Sequence, residues 1–266
     1  MVQRFMTPDP ILVHDDGPLE TAAMLMMRHR FRHLPVISPD GRLVGLLDDA
    51  AVFRRGEVRS GRWQVFDPRD DHLLVADVVR PAAIVEPLDA PLIHALRAMV
   101  RLGEDAVVVI DTQRRPVGIL TAHDAIRGCG SLIAMDTTVA ELATQPVVSL
   151  TPGQDVGEAL QIMRTLGLRH VVVLHGQIPW AVVSWRSLME LDAERRRTTK
   201  LSSLERGAVE TVTPDTTLAQ LVDRMVAQKI GCAPVVDSQQ HLVGIISRSD
   251  LLKRMVARLR FEGSGA

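Results

Sequence analysis

The sequence predicts an α+β fold, a mixed α/β chain of four β-α-β-β-α repeats arranged as two tandem pairs, and three observations carry that prediction. A stretch of one design occurs twice: Gly118-Ile119-Leu120-Thr121-Ala122-His123-Asp124 and, 126 residues on, Gly244-Ile245-Ile246-Ser247-Arg248-Ser249-Asp250. The same order of extended start, amphipathic helix, apolar strand, turn, second strand and second helix recurs four times along the 266 residues. The spacing recurs as well, since Pro35 to Gly45, Val108 to Gly118 and Pro234 to Gly244 are each ten residues, with the third repeat one shorter.

Repeat 1 starts at Thr7-Pro8 and runs through a helix whose apolar positions Leu19, Ala22, Ala23, Met26 and Met27 recur at helical spacing. The strand Leu34 to Ile37, the turn Pro39-Asp40-Gly41 and the strand Leu43 to Leu47 then read as a β-hairpin. Repeat 2 begins near Arg80-Pro81, has Leu92, Leu96, Met99 and Val100 as its helical stripe, and continues with Ala106 to Ile110 and Val117 to Leu120. Repeat 3 begins at Gln145-Pro146, with Val156, Leu160 and Met163 on one face, then Val171 to Leu174 and Trp180 to Val183. Repeat 4 enters through Val209 to Val212, with Leu218, Leu221, Val222 and Met225 as its stripe, then Ala233 to Val236 and Leu242 to Ile246. Between repeats 1 and 2 the Arg-, Asp- and Gly-rich stretch Gly56 to Val75 reads as an inserted surface excursion, and Gly128 to Ser131 as the boundary between halves. Glu194 to Lys200, with three consecutive arginines, reads as a solvated helix end.

The twice-repeated stretch places a hydroxyl and a carboxylate at a strand-to-helix turn. Two chemistries are open there. The first helical turn leaves N–H groups unpaired and carries partial positive charge, which suits a phosphate, while a carboxylate accepts bonds from sugar hydroxyls. The same residues also make a capping box, in which Thr121 or Ser247 caps the helix and the acid three residues on returns a bond to the cap.

Composition removes other classes. Lys+Arg 31 against Asp+Glu 32 gives a net charge of −1, so no global field favours nucleic acid, and aromatics at 3% leave little for base stacking. No apolar run approaches the roughly 20 residues that span a bilayer, and the first residues lack the apolar core of a signal peptide, so a cytoplasmic protein without membrane association is expected. Cys129 and Cys232 form no ligand spacing and read as reduced thiols. Nine histidines include no HExxH, and there is no GxSxG elbow, P-loop or GxGxxG, so neither a catalytic nor a metal site is expected.

The four-fold pattern with its Gly-apolar-apolar-Thr/Ser-x-x-Asp motif resembles the CBS domain, the small regulatory repeat named after cystathionine beta-synthase, which occurs in tandem pairs called Bateman modules. The resemblance implies one module over residues 1–130, with the insertion near 56–75, and a second over 131–266. It implies a non-enzymatic regulatory or sensor protein that needs no cofactor. Adenosine-containing ligands (AMP, ADP, ATP or S-adenosylmethionine) would lie in clefts between paired repeats and signal to a regulated protein partner. A ligand-free interaction scaffold of the same fold is the alternative.

Carried over by that resemblance, the first ligand site combines Thr121, His123 and Asp124 with Ile11, Phe31 and Arg32, and the second combines Ser247, Ser249 and Asp250 with Val148, Leu168 and Arg169. An arginine there could engage two phosphate oxygens at once. Repeats 1 and 3 depart from the motif: repeat 1 has Asp48 for the hydroxyl and Ala51 for the acid, and repeat 3 has Ala181 for glycine and Ser187 for the acid. Each module should therefore hold one intact and one degraded turn, with Trp180 and Trp185 beside the degraded turn of the second. The family's helix-mediated association implies a disc within one chain or a homodimer, and Leu251, Leu252, Met255, Val256 and Leu259 supply an apolar stripe on the last helix.

Overall fold

The computed structural model describes residues 1–59, 62–129 and 137–262. The chain forms two compact units, one running from Met1 to Gly128 and including the chain from Val256 on, the other from Cys129 to Met255. The expected boundary at Gly128 to Ser131 lies partly outside the described residues.

Unit one contains, in chain order, β1 (Thr7–Pro8), β2 (Val13–His14), α1 (Leu19–His29), β3 (His33–Ile37), β4 (Leu43–Asp48), α2 (Asp49–Phe53), β5 (Gly56–Arg59), β6 (Arg62–Val65), β7 (Val85–Pro87), α3 (Leu92–Leu102), β8 (Ala106–Ile110), β9 (Pro116–Thr121) and α4 (Ala122–Cys129). Repeat 1 builds the sheet β2-β3-β4, and repeat 2 builds β9-β8-β7 with β1 added at its edge. The start of repeat 1 is thus a strand of its partner's sheet: Thr7 pairs antiparallel with Ile119 and Pro8 with Gly118. Repeat 2 returns the exchange, because Arg80 bridges to Leu46 on β4. The apolar stripes read from sequence face inward, with Leu19, Ala22, Ala23 and Met26 of α1 and Ala95, Leu96 and Met99 of α3 buried.

Unit two contains β10 (Ser149–Leu150), α5 (Val156–Leu166), β11 (His170–His175), β12 (Ile178–Ser184), α6 (Trp185–Met189), α7 (Ala193–Thr198), α8 (Leu218–Ala227), β13 (Cys232–Val236), β14 (Leu242–Ser247) and the first part of α9 (Arg248–Glu262). Its sheets are β10-β11-β12 and β13-β14. The expected strand at Val209 to Val212 is a single parallel bridge, Val212 to Val235. Thr217 caps α8 and Gln220 answers it, with Gln220 N–H donating to Thr217 Oγ1 at 3.3 Å and Thr217 N–H to Gln220 Oε1 at 3.1 Å. The core gathers Leu150, Val156, Met163, Val171, Val173 and Leu188.

All four hairpins carry a register shift at the same place, after Val36, Val109, Val173 and Val235. Opposite those valines stand Gly45, Gly118, Ala181 and Gly244. A bulge there bends the strand and sets the direction in which its last residue meets the following helix.

One sequence expectation changes. The stretch read as a surface excursion contains the hairpin β5-β6, and Trp63 on it is 7% exposed, its ring tilted against Phe53 at 5.7 Å between centroids. A single large aromatic was enough to anchor a charged segment to a core. The helices after the motif begin at Ala122 and Arg248, immediately after the hydroxyl residue, where the capping-box reading puts them. On the last helix Leu251, Leu252, Met255 and Val256 are buried; the side chain of Leu259 lies outside the described residues.

Two outcomes follow. Trp63→Ala should lower stability by about 3–5 kcal/mol in a urea melt. Trp63→Phe should change it by less than about 1 kcal/mol, because the smaller ring is offset by removal of an indole N–H that is buried and has no hydrogen-bond partner among the described residues. An insertion that merely decorates the surface would show no loss in either variant. At Cys232, burial pushes the thiol from an ordinary value of 9.0 up to about 12, with Arg248 pulling weakly the other way. The folded thiol keeps its proton where the unfolded one loses it, so the unfolded state binds fewer protons and stability should fall as pH rises above 9.0 towards about 12. Alkylation at pH 8, followed by peptide mapping, should leave Cys232 unmodified until the protein unfolds.

Candidate functional site

Each repeat ends its second strand in the same turn. The first residue of the following helix sends its N–H back to the residue before the repeat's first strand: Asp49 to Arg32 O at 2.9 Å, Ala122 to Asp105 O at 3.0 Å, Trp185 to Arg169 O at 2.8 Å and Arg248 to Gly231 O at 3.1 Å. The last strand residue then caps the helix. Asp48 Oδ1 accepts from Ala51 N–H at 2.6 Å, Thr121 Oγ1 from Asp124 N–H at 3.3 Å and Ser184 Oγ from Ser187 N–H at 3.0 Å. Three of these turns, which differ in charge, therefore satisfy the same orphan donor of a helix start.

The two intact turns go further. Asp124 Oδ2 accepts both the N–H of Thr121 at 3.0 Å and its hydroxyl at 2.6 Å, and Asp250 Oδ2 accepts the N–H and hydroxyl of Ser247 at 2.9 and 2.6 Å. One oxygen of each carboxylate is thus fixed by the cap. The second oxygens differ: Asp124 Oδ1 takes Arg127 Nη2 at 3.1 Å and the Thr7 hydroxyl at 3.5 Å, whereas Asp250 Oδ1 has the Lys253 ammonium at 3.6 Å. Asp124 is 6% exposed as a residue, and the Asp250 side chain is 16% exposed. In the degraded turn of repeat 1, Asp48 is ion-paired with Arg80 from the partner's lead-in.

The structure groups the sequence-predicted residues unevenly. Thr121 and Asp124 come together, as do Ser247 and Asp250. Arg32 reaches the other repeat of its unit through an ion pair with Asp105 at 3.6 Å, and Asp105 in turn holds the start of α4. Phe31 is exposed and stacked on His29, with centroids 5.2 Å apart, while Ile11 and His123 are half-buried. In unit two Leu168 packs on the hydrophobic core, Arg169 is exposed and holds Trp185 of its own repeat through its carbonyl, and Val148 and Ser249 are exposed. Thr7, Arg127 and Lys253 were not foreseen at the carboxylates; the i, i+3 spacing to Arg127 and Lys253 was the available signal.

A cavity of about 850 Å³ opens beside the degraded turn of repeat 3. Trp180, Ser184, Ser187, Arg195, Arg206 and Lys229 contribute to its wall. The Arg206 guanidinium lies 4.5 Å above the centre of the Trp180 ring. The segment read as a solvated helix end is mostly exposed at the end of α7, and within it Arg195 lines the cavity and Lys200 pairs with Asp155 at 2.9 Å. No group of three or more metal-ligating side chains, and no helix long and apolar enough to cross a membrane, occurs among the described residues.

Residues 2–56, 75–130, 139–194 and 202–257 match the CBS domain family. The uncharacterized protein MJ1225 of Methanocaldococcus jannaschii is 21% identical over 91% of this chain and 94% of its own length. The crystal structure of that protein, proposed as an archaeal homolog of g-AMPK, covers 95% of this chain and 98% of its own, with a TM-score of 0.77 at 18% identity. An uncharacterized conserved protein from Pyrococcus horikoshii covers 96% and 99% with a TM-score of 0.69 at 21% identity. CBSX2, a chloroplastic CBS domain-containing protein of Arabidopsis thaliana, is 44% identical over 54 residues, 20% of this chain and 23% of that protein. A structure of CBSX2 in complex with AMP covers 49% of this chain and 96% of that one, with a TM-score of 0.42 at 22% identity. Four matched segments spanning nearly the whole sequence, each ending in the same capped turn, make this chain a member of the CBS domain family, with four repeats in two pairs.

Proposed function

We infer that the chain is a regulatory protein that binds an adenosine-containing ligand, AMP, ADP, ATP or S-adenosylmethionine, and passes its occupancy to a protein partner. The observation that carries this reading is the division of labour within the Asp250 carboxylate. Oδ2 is held by both donors of Ser247, while among the described residues Oδ1 faces only the Lys253 ammonium at 3.6 Å. The cap therefore positions an acceptor at the start of a helix, next to N–H groups and partial positive charge that suit a phosphate. Capping and ribose binding, which compete as readings of the sequence, are compatible as uses of two different oxygens. Ser249, exposed on the same turn, is a further hydroxyl for such a ligand. On this reading the chain catalyses nothing itself, acts in the cytoplasm, and takes its specificity from the occupied turn.

Asp124 is the weaker of the two sites, because a ligand there must exchange with Arg127 and Thr7 for Oδ1. That same saturation favours a second reading for unit one, a ligand-free scaffold in which the carboxylate ties β1 to α4.

Calorimetry with AMP, ATP and S-adenosylmethionine separates the readings. In Asp250→Asn the amide oxygen can still accept from Ser247, so folding should change by less than about 1 kcal/mol. The charge-assisted bonds to the ribose are lost, and affinity should fall roughly 10- to 150-fold, or about 1.5–3 kcal/mol. Asp124→Asn should have the smaller effect. Undiminished affinity in the double variant would sink the ribose role of both carboxylates and leave the scaffold.

A further inference from the structure

The lead-in segments obey one register in three repeats, and the fourth breaks it. Val13, Glu86, Leu150 and Val212 pair with Val36, Val109, Val173 and Val235, the valines that face the motif glycine or Ala181. Six residues before the first three of them stand Thr7, Arg80 and Thr144, and these bridge antiparallel to Ile119, Leu46 and Ile245 of the partner repeat. Six residues before Val212 stands Arg206, whose counterpart partner is Val182 on β12. That bridge is not formed: Arg206 instead lays its guanidinium over Trp180, and the cavity of about 850 Å³ occupies the space between the lead-in and β12.

The residue next to each bridge explains the difference. A Cβ on Gly45 would lie 2.2 Å from Arg80 O, one on Gly118 2.1 Å from Met6 Sδ, and one on Gly244 3.1 Å from Ala143 Cβ. All three are shorter than the roughly 3.5 Å at which non-bonded atoms are comfortable. At the fourth position the residue is Ala181, 7% exposed and packed with the core of unit two, and it carries a methyl where the other three repeats have glycine. We propose that Ala181 is a wedge that keeps the lead-in segment Leu204–Glu210 off β12, so that unit two holds a preformed cavity beside β12 where the motif strands of the other three repeats are bridged by their partner's chain. The segment is a strap that would close on β12, with Val182 N–H donating to Arg206 O as Leu46 does to Arg80 O at 2.9 Å and Ile245 to Thr144 O at 3.2 Å.

Residue-resolved amide hydrogen exchange on the full chain tests this. In the unsubstituted protein the Val182 amide should exchange at least ten times faster than those of Leu46 and Ile245; equal protection would mean that the strap is already closed and would overturn the proposal. Ala181→Gly should slow exchange at Val182 at least ten-fold while leaving Leu46 and Ile245 unchanged. A Val182 amide as open in that variant as in the parent removes the wedge. Arg206→Ala should leave Val182 open, since the methyl remains; closure in that variant would assign the open state to the Arg206–Trp180 stack and equally defeat the proposal. Because none of these readouts involves a ligand, their failure is distinct from failure of the nucleotide reading.

Discussion

The structure depends on the close crossing of one repeat's lead-in over the motif strand of its partner. At Gly45 the backbone of the neighbouring chain passes so near that a Cβ would meet Arg80 O at 2.2 Å, while at Gly118 the near neighbour is the flexible Met6 side chain and at Gly244 the Ala143 methyl at 3.1 Å. A residue without Cβ admits such approaches most readily, and the crossing supplies hydrogen bonds to a strand edge that would otherwise be bare. In three of the four repeats the sheet edge is completed by the partner repeat's chain. The same crossing delivers functional groups: β1 brings the Thr7 hydroxyl to Asp124, and the Arg80 lead-in brings a guanidinium to Asp48.

Capping then converts a strand end into a chemically defined point. A helix start has donors to satisfy whatever the repeat's history, and Asp48, Thr121, Ser184 and Ser247 all stand at that position. What varies is the residue three positions on. Where it is aspartate, one oxygen is immobilised by the hydroxyl residue and the other is taken by Arg127 and Thr7 at Asp124 but faces Lys253 at Asp250; where it is Ala51 or Ser187, the turn is made but offers no carboxylate. Structural equivalence and chemical difference are thus separated by a single side chain.

Much of the fold was legible because it rests on periodic burial and punctuation: the stripes of α1, α3, α5 and α8, the four hairpins, and the motif turns themselves. The partner exchange of lead-in segments was not legible, since Thr7-Pro8 and Arg80-Pro81 read as local strand starts and their partners lie some 35–110 residues away in sequence. Trp63 was misread for a related reason, as charged neighbours on a hairpin concealed one buried ring. At the candidate site, Thr121, Asp124, Ser247 and Asp250 could be read because their spacing is that of a capping box. The second oxygens of the two carboxylates could not, because their donors are set by helix geometry and by a strand from another repeat. The cavity beside Ser184 was hidden in the register: the substitution of Ala181 for glycine reads as degradation of a motif until the crossing it prevents is known.

The slot between the two repeats of each pair has a consequence for how the halves of this chain can differ. In unit one the chain leaves α2, makes the β5-β6 hairpin against α1, and returns through a bridge between Pro18 and Leu74. In unit two it leaves α6, makes α7 against α5, and returns through the corresponding bridge between Asp155 and Lys200. The flank of the first helix needs cover, and a hairpin and a helix serve equally. Because the chain re-enters through the same bridge after either, this slot can accept new segments without altering the register of the repeats around it. It already gives the two pairs different neighbours, an indole anchored on Phe53 in one and the Arg195 guanidinium at a cavity wall in the other. Variation confined to that slot would change the surroundings of each pair while leaving its architecture untouched.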